Sequence, residues 1–219
     1  MSGSSPHRPV HVLDDDIDVV RSISLVLDSA GMTAEEWTSP RIFLRRAHFE
    51  PPTCVLLDVR MPGMTGPEVQ EELRLRGQAV PVVFLTAHAD VPTTVRAMKG
   101  GAEDFLLKPI DPAALLDAVR RALARSVAGA AAAAWNDTVH ARFEHLTPRE
   151  KQVFEQIARG ASNKDGAAVL GITVNTMKVH RIRIMGKMEA ASFADLVQMG
   201  VTLGLVGDDG SRTDTRPKS

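Results

Sequence analysis

Four apolar runs in this 219-residue chain each deliver a polar group at or just beyond their carboxyl ends. Asp14, Asp15 and Asp16 follow PVHVL, Asp58 follows TCVLL, Thr86 follows VPVVFL and Lys108 follows DFLL. One such acid carries little information, whereas acids, a hydroxyl and a lysine from four runs can build a single pocket. Carboxylates 4 Å apart repel by roughly 4 kcal/mol per pair at an effective dielectric near 20. A cation must offset that, and hard carboxylate oxygens with water suit Mg2+. A carboxylate beside Mg2+ can attack a phosphoryl group and form an acyl phosphate, with the metal neutralising the equatorial oxygens. Lys108 would add a second positive charge, and the Thr86 hydroxyl could donate to a phosphoryl oxygen.

A second chemistry lies near the other end. Residues 173–188 hold Lys178, Arg181, Arg183 and Lys187 and no acid. A local basic cluster can meet phosphates, although charge alone is commonly just a solvated face.

The elements that must position the first set alternate in kind. PVHVLD (9–14), 33–37, TCVLLD (53–58), VPVVFL (80–85) and DFLLK (104–108) read as strands. Helix-length stretches fall near 16–29, 40–48, 66–76, 91–99 and 112–125, several opening with Asp, Ser or Thr beside a proline. Continuous apolar strands alternating with helices predict a parallel sheet covered on both faces. Ligands of such sheets bind outside the carboxyl ends of the strands, where the polar groups are. Asp16 reads as a helix N-cap rather than a metal ligand. Pro62, Gly63 and Gly66 read as loop formers that let backbone approach Asp58.

Residues 126–142, SVAGAAAAAWNDTVHAR, are alanine-rich and almost uncharged. Alanine is the strongest helix former, which predicts a helix continuing from 112–125, weakest at Gly129; a flexible tether is the alternative. Trp135, Val139 and Phe143 recur every four residues and so share a helical stripe. Beyond it, Thr147-Pro148-Arg149-Glu150 matches a capping box with proline at the first helical position. Two short helices joined at Leu170-Gly171-Ile172-Thr173 follow, then a fourth within 191–205. Glu150 and Arg149 read as structural, through capping and internal pairing. Residues 1–8 and 207–219 are polar and read as disordered.

Composition narrows the function classes. A formal charge of −1 conceals an acidic first part, with 17 acids against 14 bases in residues 1–125, and a basic remainder. No apolar run approaches the roughly 20 residues of a membrane helix, and the N-terminus lacks the apolar core of a signal peptide. The single cysteine, Cys54, excludes an internal disulfide and a cysteine-based metal site. A cytoplasmic protein without membrane contact is expected.

Asp14-Asp15, Asp58 within LDVRMPGMTG, Thr86 in FLTAHAD and Lys108-Pro109 in DFLLKP together resemble the receiver domain of two-component response regulators, over about residues 9–125. The resemblance implies a CheY-like fold, a doubly wound five-stranded parallel sheet, and Asp58 as phosphoacceptor. It implies Mg2+ on Asp15, Asp58 and the Arg60 carbonyl, with Asp14 acting partly through water. Thr86 and Lys108 would hold the phosphoryl group, Phe105 would be the switch aromatic, and Lys108-Pro109 would be a cis peptide. Phe105 as plain core is the alternative. Arg60 and His88, each two residues beyond a pocket residue, are candidates for setting phosphoryl lifetime.

LTPRE, Asn163-Lys164, Leu170-Gly171-Ile172-Thr173 and Thr176-x-Lys178-Val179-His180 resemble the LuxR/FixJ/NarL helix-turn-helix, over about residues 143–206. The resemblance implies an all-α four-helix DNA-binding domain with Lys178, Val179 and Ile182 facing bases. Thr173, Asn175, Thr176, Lys164, Arg181 and Arg183 are candidates for phosphate contacts. A sensor histidine kinase, promoter DNA, a second copy on phosphorylation and RNA polymerase are the implied partners. The helix near 91–99 with strand 104–108, or the Trp135/Val139/Phe143 stripe, would pair the copies. Gly166 and Gly186 depart from the family pattern and predict a marginally stable output domain. A protein-interaction module and an Asp-nucleophile phosphatase are the rival readings.

Overall fold

The structure, a computed structural model, describes residues 10–87 and 100–206. Two compact units result, Met1–Ala131 and Ala132–Ser219. The helix expected over 91–99, His88 and the two chain ends lie outside the described residues.

In the first unit the order is β1 (Val10–Leu13), α1 (Ile17–Ser29), β2 (Ala34–Trp37), α2 (Pro40–Arg46), β3 (Cys54–Asp58), α3 (Gly66–Leu75), β4 (Val82–Thr86) and β5 (Asp104–Leu107), followed by α4 (Pro112–Glu144). The strands form one parallel sheet in the order β2-β1-β3-β4-β5. All of β3 and β4 is buried, as strands covered on both faces require. Side chains alternate between two cores. Cys54 and Leu56 of β3 meet α1 and the start of α4 through Val20, Ile23, Leu27, Leu115 and Val119. Val55 and Leu57 meet Phe43 of α2 and Val69 and Leu73 of α3. The Cys54 thiol is buried, which pushes its pKa up to about 12.

The alanine-rich segment is helical. α4 runs unbroken through Gly129, and the Ser126 hydroxyl accepts a 3.1 Å bond from the Thr53 N–H. The expected stripe does not stay together. Trp135 is exposed, but Val139 is fully buried and Phe143 meets Phe154 edge-on, ring centres 5.5 Å apart. Val139 therefore belongs to the core of the second unit with Phe143 packed against it, so of the stripe expected as a second pairing surface Trp135 is the exposed member.

That unit continues with α5 (Pro148–Ala158), α6 (Asn163–Leu170), α7 (Val174–Met188) and α8 (Phe193–Thr202). Thr147, Ser162, Thr173 and Ser192 cap the four helices, each accepting from an N–H three residues on. Gly171, at φ 64°, ends α6 in the left-handed conformation that a tight turn into α7 needs. Phe154, Ile157, Met177, Ile184, Met188, Leu196 and Met199 close the core.

Candidate functional site

Because the strands are parallel and in register, their carboxyl ends open on one side of the sheet. Leu13 lies beside both Trp37 and Leu57, and Thr86 beside Leu107. The next residues, Asp14, Asp58 and Lys108, converge there. Asp14 is 1% exposed and Asp58 6%, so two carboxylates are buried side by side. The Lys108 ammonium makes this tolerable by donating to Asp14 Oδ2 at 2.5 Å and to Asp58 Oδ1 at 2.7 Å. Each acid also accepts a backbone N–H: Asp16 to Asp14 Oδ1 at 3.0 Å, and Arg60 to Asp58 Oδ2 at 2.6 Å.

Burial pushes the Asp58 carboxyl up; Lys108 and the Arg60 N–H pull it back, Asp14 pushes again, and the balance stays above the ordinary aspartate range. Burial also opposes the Lys108 charge, but its bonds to Asp14 and Asp58 outweigh that and hold its pKa above the usual lysine value. Asp58 is thus a buried, comparatively basic carboxylate, which favours nucleophilic character.

Other pocket residues fall around this pair. Thr86 is buried at the end of β4, and its carbonyl accepts from the Lys108 N–H at 2.7 Å. Lys108-Pro109 is cis. Phe105 is half-buried, its ring 5.5 Å from Phe84. Asp15 is exposed, and Asp16 caps α1 by accepting from the Asp18 N–H. Arg60 is exposed beside Asp58. Among the described residues no three acids, cysteines or histidines stand at metal-ligand spacing, and Lys108 lies between Asp14 and Asp58. The donor chemistry nevertheless fits Mg2+: the groups are all hard oxygens, and one ammonium leaves two buried carboxylates with a net negative charge.

On α7, Met177, Ile184 and Met188 face the core, whereas Lys178, Val179, Ile182 and Arg183 are exposed on the other side. Thr173 caps the helix and contacts the Thr176 hydroxyl at 2.8 Å; Asn175 and Lys164 are exposed. The basic cluster divides in two. Arg181 lies 4.1 Å over the Phe193 ring and also reaches Asn163, and Lys187 pairs with Glu150 at 2.6 Å. Lys178 and Arg183 point away from such anchors, so Arg181 is less available to phosphate than its place in the sequence suggests.

Residues 10–120 match the response regulator receiver domain family, and residues 144–200 match the bacterial regulatory proteins of the luxR family. The chain belongs to the response regulators. It is 42% identical to the transcriptional regulatory protein FixJ of Azorhizobium caulinodans, over 94% of this chain and 98% of that one. It is 38% identical to the response regulator protein TodT of Pseudomonas putida, over 87% and 84%. The solved structure of response regulator StyR is similar at TM-score 0.71 and 43% identity, covering 88% of this chain and 98% of that one. This response regulator is a two-component transcriptional regulator with a LuxR-type helix-turn-helix output, and its family is not one of enzymes. Among the described residues no helix is long and apolar enough to cross a membrane.

Three contributors to the regulator's two sites were not visible as such in the sequence. Gly66 lies so close to the Asp58 backbone that a Cβ there would sit 2.4 Å from the Asp58 carbonyl oxygen. The LDVRMPGMTG loop needs glycine for that approach, which the Pro-Gly cluster signals only in general terms. The space left by Gly166 is filled by Met177, whose Cε would lie 2.7 Å from an added Cβ. Met177 of α7 thus takes up the core volume that a larger side chain at 166 would fill. The Arg60 N–H on Asp58 carries no side-chain signal at all.

Proposed function

We propose that Asp58 is the phosphoacceptor and that its phosphorylation controls DNA binding by α7. The observation that carries this is a buried carboxylate at the end of the central strand, bridged to Asp14 by Lys108. An Asp58 oxygen attacks the phosphoryl group of a sensor kinase phosphohistidine; the new P–O bond forms as the P–N bond breaks, and the imidazole leaves with a proton. Transfer replaces the single negative charge of the Asp58 carboxylate with the roughly two of an acyl phosphate, in a pocket that already has one negative charge in excess. Mg2+ held by Asp14, Asp15, Asp58 and the Arg60 carbonyl would supply the missing positive charge. Lys108 and the Thr86 hydroxyl then hold phosphoryl oxygens, and Phe105 answers the change in Thr86 by moving its ring. Arg60 and His88 set access for hydrolytic water.

An apolar groove of about 420 Å3 lies beside Lys108, lined by Val19, Ile23, Val26, Ile110 and Leu115. It offers a donor protein a seat near Asp58. Phosphorylation favours pairing of two copies, since one helix-turn-helix grips weakly and two half-sites raise the effective affinity. Moving that equilibrium from 1:99 to 99:1 takes about 5.5 kcal/mol. Lys178, Val179 and Ile182 read bases, Lys164, Thr173, Asn175, Thr176 and Arg183 meet phosphates, and the bound dimer engages RNA polymerase.

The test treats wild type and Asp58→Ala with acetyl phosphate and Mg2+, following label incorporation, dimerisation and DNA retention together. Wild type is expected to gain all three, and chelation of Mg2+ to abolish them. Equal behaviour of the two proteins overturns the proposal.

A further inference from the structure

The side of the receiver that carries α2 and α3 holds charges its own chain leaves partly unused. Both helices cover the same side of the sheet, through Phe43 of α2 and Val69 and Leu73 of α3. Outward, α2 presents Arg41, Ile42, Arg45 and Arg46, all exposed and sharing one helical face. None of the three arginines makes an ion pair or hydrogen bond among the described residues. Arg45 and Arg46 suit the carboxyl end of a helix. Arg41 does not suit its place: the helix dipole opposes a cation in the first turn, and Arg45 repels it from four residues on. Ile42, in their midst, is 41% exposed.

α3 presents the opposite sign. Glu68, Glu71, Glu72 and Leu75 line a groove of about 550 Å3, in which Arg60 is the one cation among the described residues. Glu71 and Glu72 pair with Arg74 and Arg76 of their own chain, but these are surface pairs. Glu68 has no basic partner, and one of its oxygens caps the helix through Thr65. Leu75 is 67% exposed. Neighbouring patches of opposite sign are self-complementary about a two-fold axis, where each copy offers both. Both helices connect strands of one parallel sheet and run in the same direction. An axis between them therefore sets α2 of one copy antiparallel to α3 of the other. With Ile42 against Leu75, the residues one turn on in each helix are Arg45 and Arg46 against Glu72 and Glu71, with Glu68 within reach of Arg46. Arg41 then falls at the carboxyl end of the other copy's α3, where a cation is favourable.

We propose that the α2–α3 face is a docking surface for a second copy of this chain, formed without phosphorylation. β2 and β5 are opposite edges of the sheet, so a copy seated here leaves the β5 edge open to the pairing that phosphorylation favours. Two short helices per copy with solvent-exposed ion pairs make a small interface of the weak, salt-sensitive class.

The test is sedimentation velocity of the unphosphorylated full chain from micromolar to millimolar concentration. Wild type should sediment faster as concentration rises, and the rise should disappear in about 1 M salt, where the screening length is about 3 Å. Arg45→Glu with Arg46→Glu in one variant, and Glu71→Arg with Glu72→Arg in a second, should each weaken self-association about tenfold, since every reversed charge counts twice across the axis. An equimolar mixture of the two variants should recover wild-type association, because each copy then meets the opposite sign on both helices. The four side chains reach solvent, so both variants should keep the helix content and unfolding midpoint of wild type. Arg45→Gln with Arg46→Gln, which removes charge without reversing it, should weaken association to a smaller extent. Wild type that stays monomeric at every concentration overturns the inference, as does association that these substitutions leave unchanged or a mixture that fails to recover it. Monomeric wild type together with DNA retention lost in the Arg45→Glu, Arg46→Glu variant also overturns it and assigns the arginines to nucleic-acid phosphates.

Discussion

Lys108→Met should show that one ammonium is what allows two carboxylates to be buried together. Methionine keeps most of the length and packing of the lysine stem, so the change isolates the charge. In wild type Nζ lies 2.5 Å from Asp14 and 2.7 Å from Asp58, with side-chain exposures of 20%, 2% and 8% for Lys108, Asp14 and Asp58. Without it the two acid oxygens, at most about 5 Å apart, repel by at least about 3 kcal/mol at an effective dielectric of 20. Breaking a buried pair by removing one partner costs about 3–5 kcal/mol. Since Lys108 keeps some solvent contact, the lower end applies, and a loss of about 3 kcal/mol at pH 7 is expected. The pH dependence has a definite sign. Burial already holds the folded Asp58 pKa above its unfolded value, and losing Lys108 raises it further. An acid so raised costs stability above its folded pKa and nothing below its unfolded one, so the deficit should be full at neutral pH and fade towards about pH 4. Urea unfolding followed by Trp37 fluorescence in a Trp135→Phe background reads the receiver unit, because Trp37 lies in β2 against Phe43. Asp58→Asn added to Lys108→Met should recover about 2 kcal/mol, a coupling that distant sites do not show. A deficit that is constant from pH 4 to 8, or strict additivity with Asp58→Asn, would refute the reasoning.

In the output domain, Glu150 is held at a pKa of about 2 by Lys187 and by the Thr147 N–H. Glu150→Gln should cost about 1–2 kcal/mol at pH 7, discounted for the half-exposed Lys187; because the folded pKa is depressed, the difference should vanish as pH falls from about 4 towards 2 in unfolding titrations of the output domain. Gly200→Ala brings a Cβ within 2.4 Å of the Ala158 Cβ; calorimetry should record a loss of about 1–3 kcal/mol, relieved by Ala158→Gly. Gly166→Val should be destabilising by a similar amount through its clash with Met177, and Met177→Ala in the same chain should recover part of it, whereas simple addition of the two losses would show that the residues do not share space.

Much of the receiver's framework was legible because it depends on local pattern. Apolar runs with turn formers between them predict β1, β3, β4 and β5 to within a residue or two, and the stretch 33–37 places β2 as closely. Asp16 and Thr147 are caps recognisable from their own neighbours, and each caps as its sequence context suggests. The polar residues at strand ends meet because parallel strands in register must open on one side.

What the chain order alone did not decide is how distant side chains divide the space and charge. Sequence assigned Lys108 to phosphoryl oxygens; in the fold it bridges Asp14 and Asp58, 94 and 50 residues away. The four-residue stripe of Trp135, Val139 and Phe143 looked like a single surface, but packing in the second unit buries Val139, half-buries Phe143 and leaves Trp135 exposed. Arg181 and Arg183 are alike in sequence, yet Phe193 anchors the first and leaves the second exposed. Gly166 looked like a missing side chain until Met177 filled it. Periodicity and capping act over a few residues and are written in the order of the chain. Pairing of buried charges, close backbone approach and the filling of core volume are settled only when elements far apart in sequence come into contact.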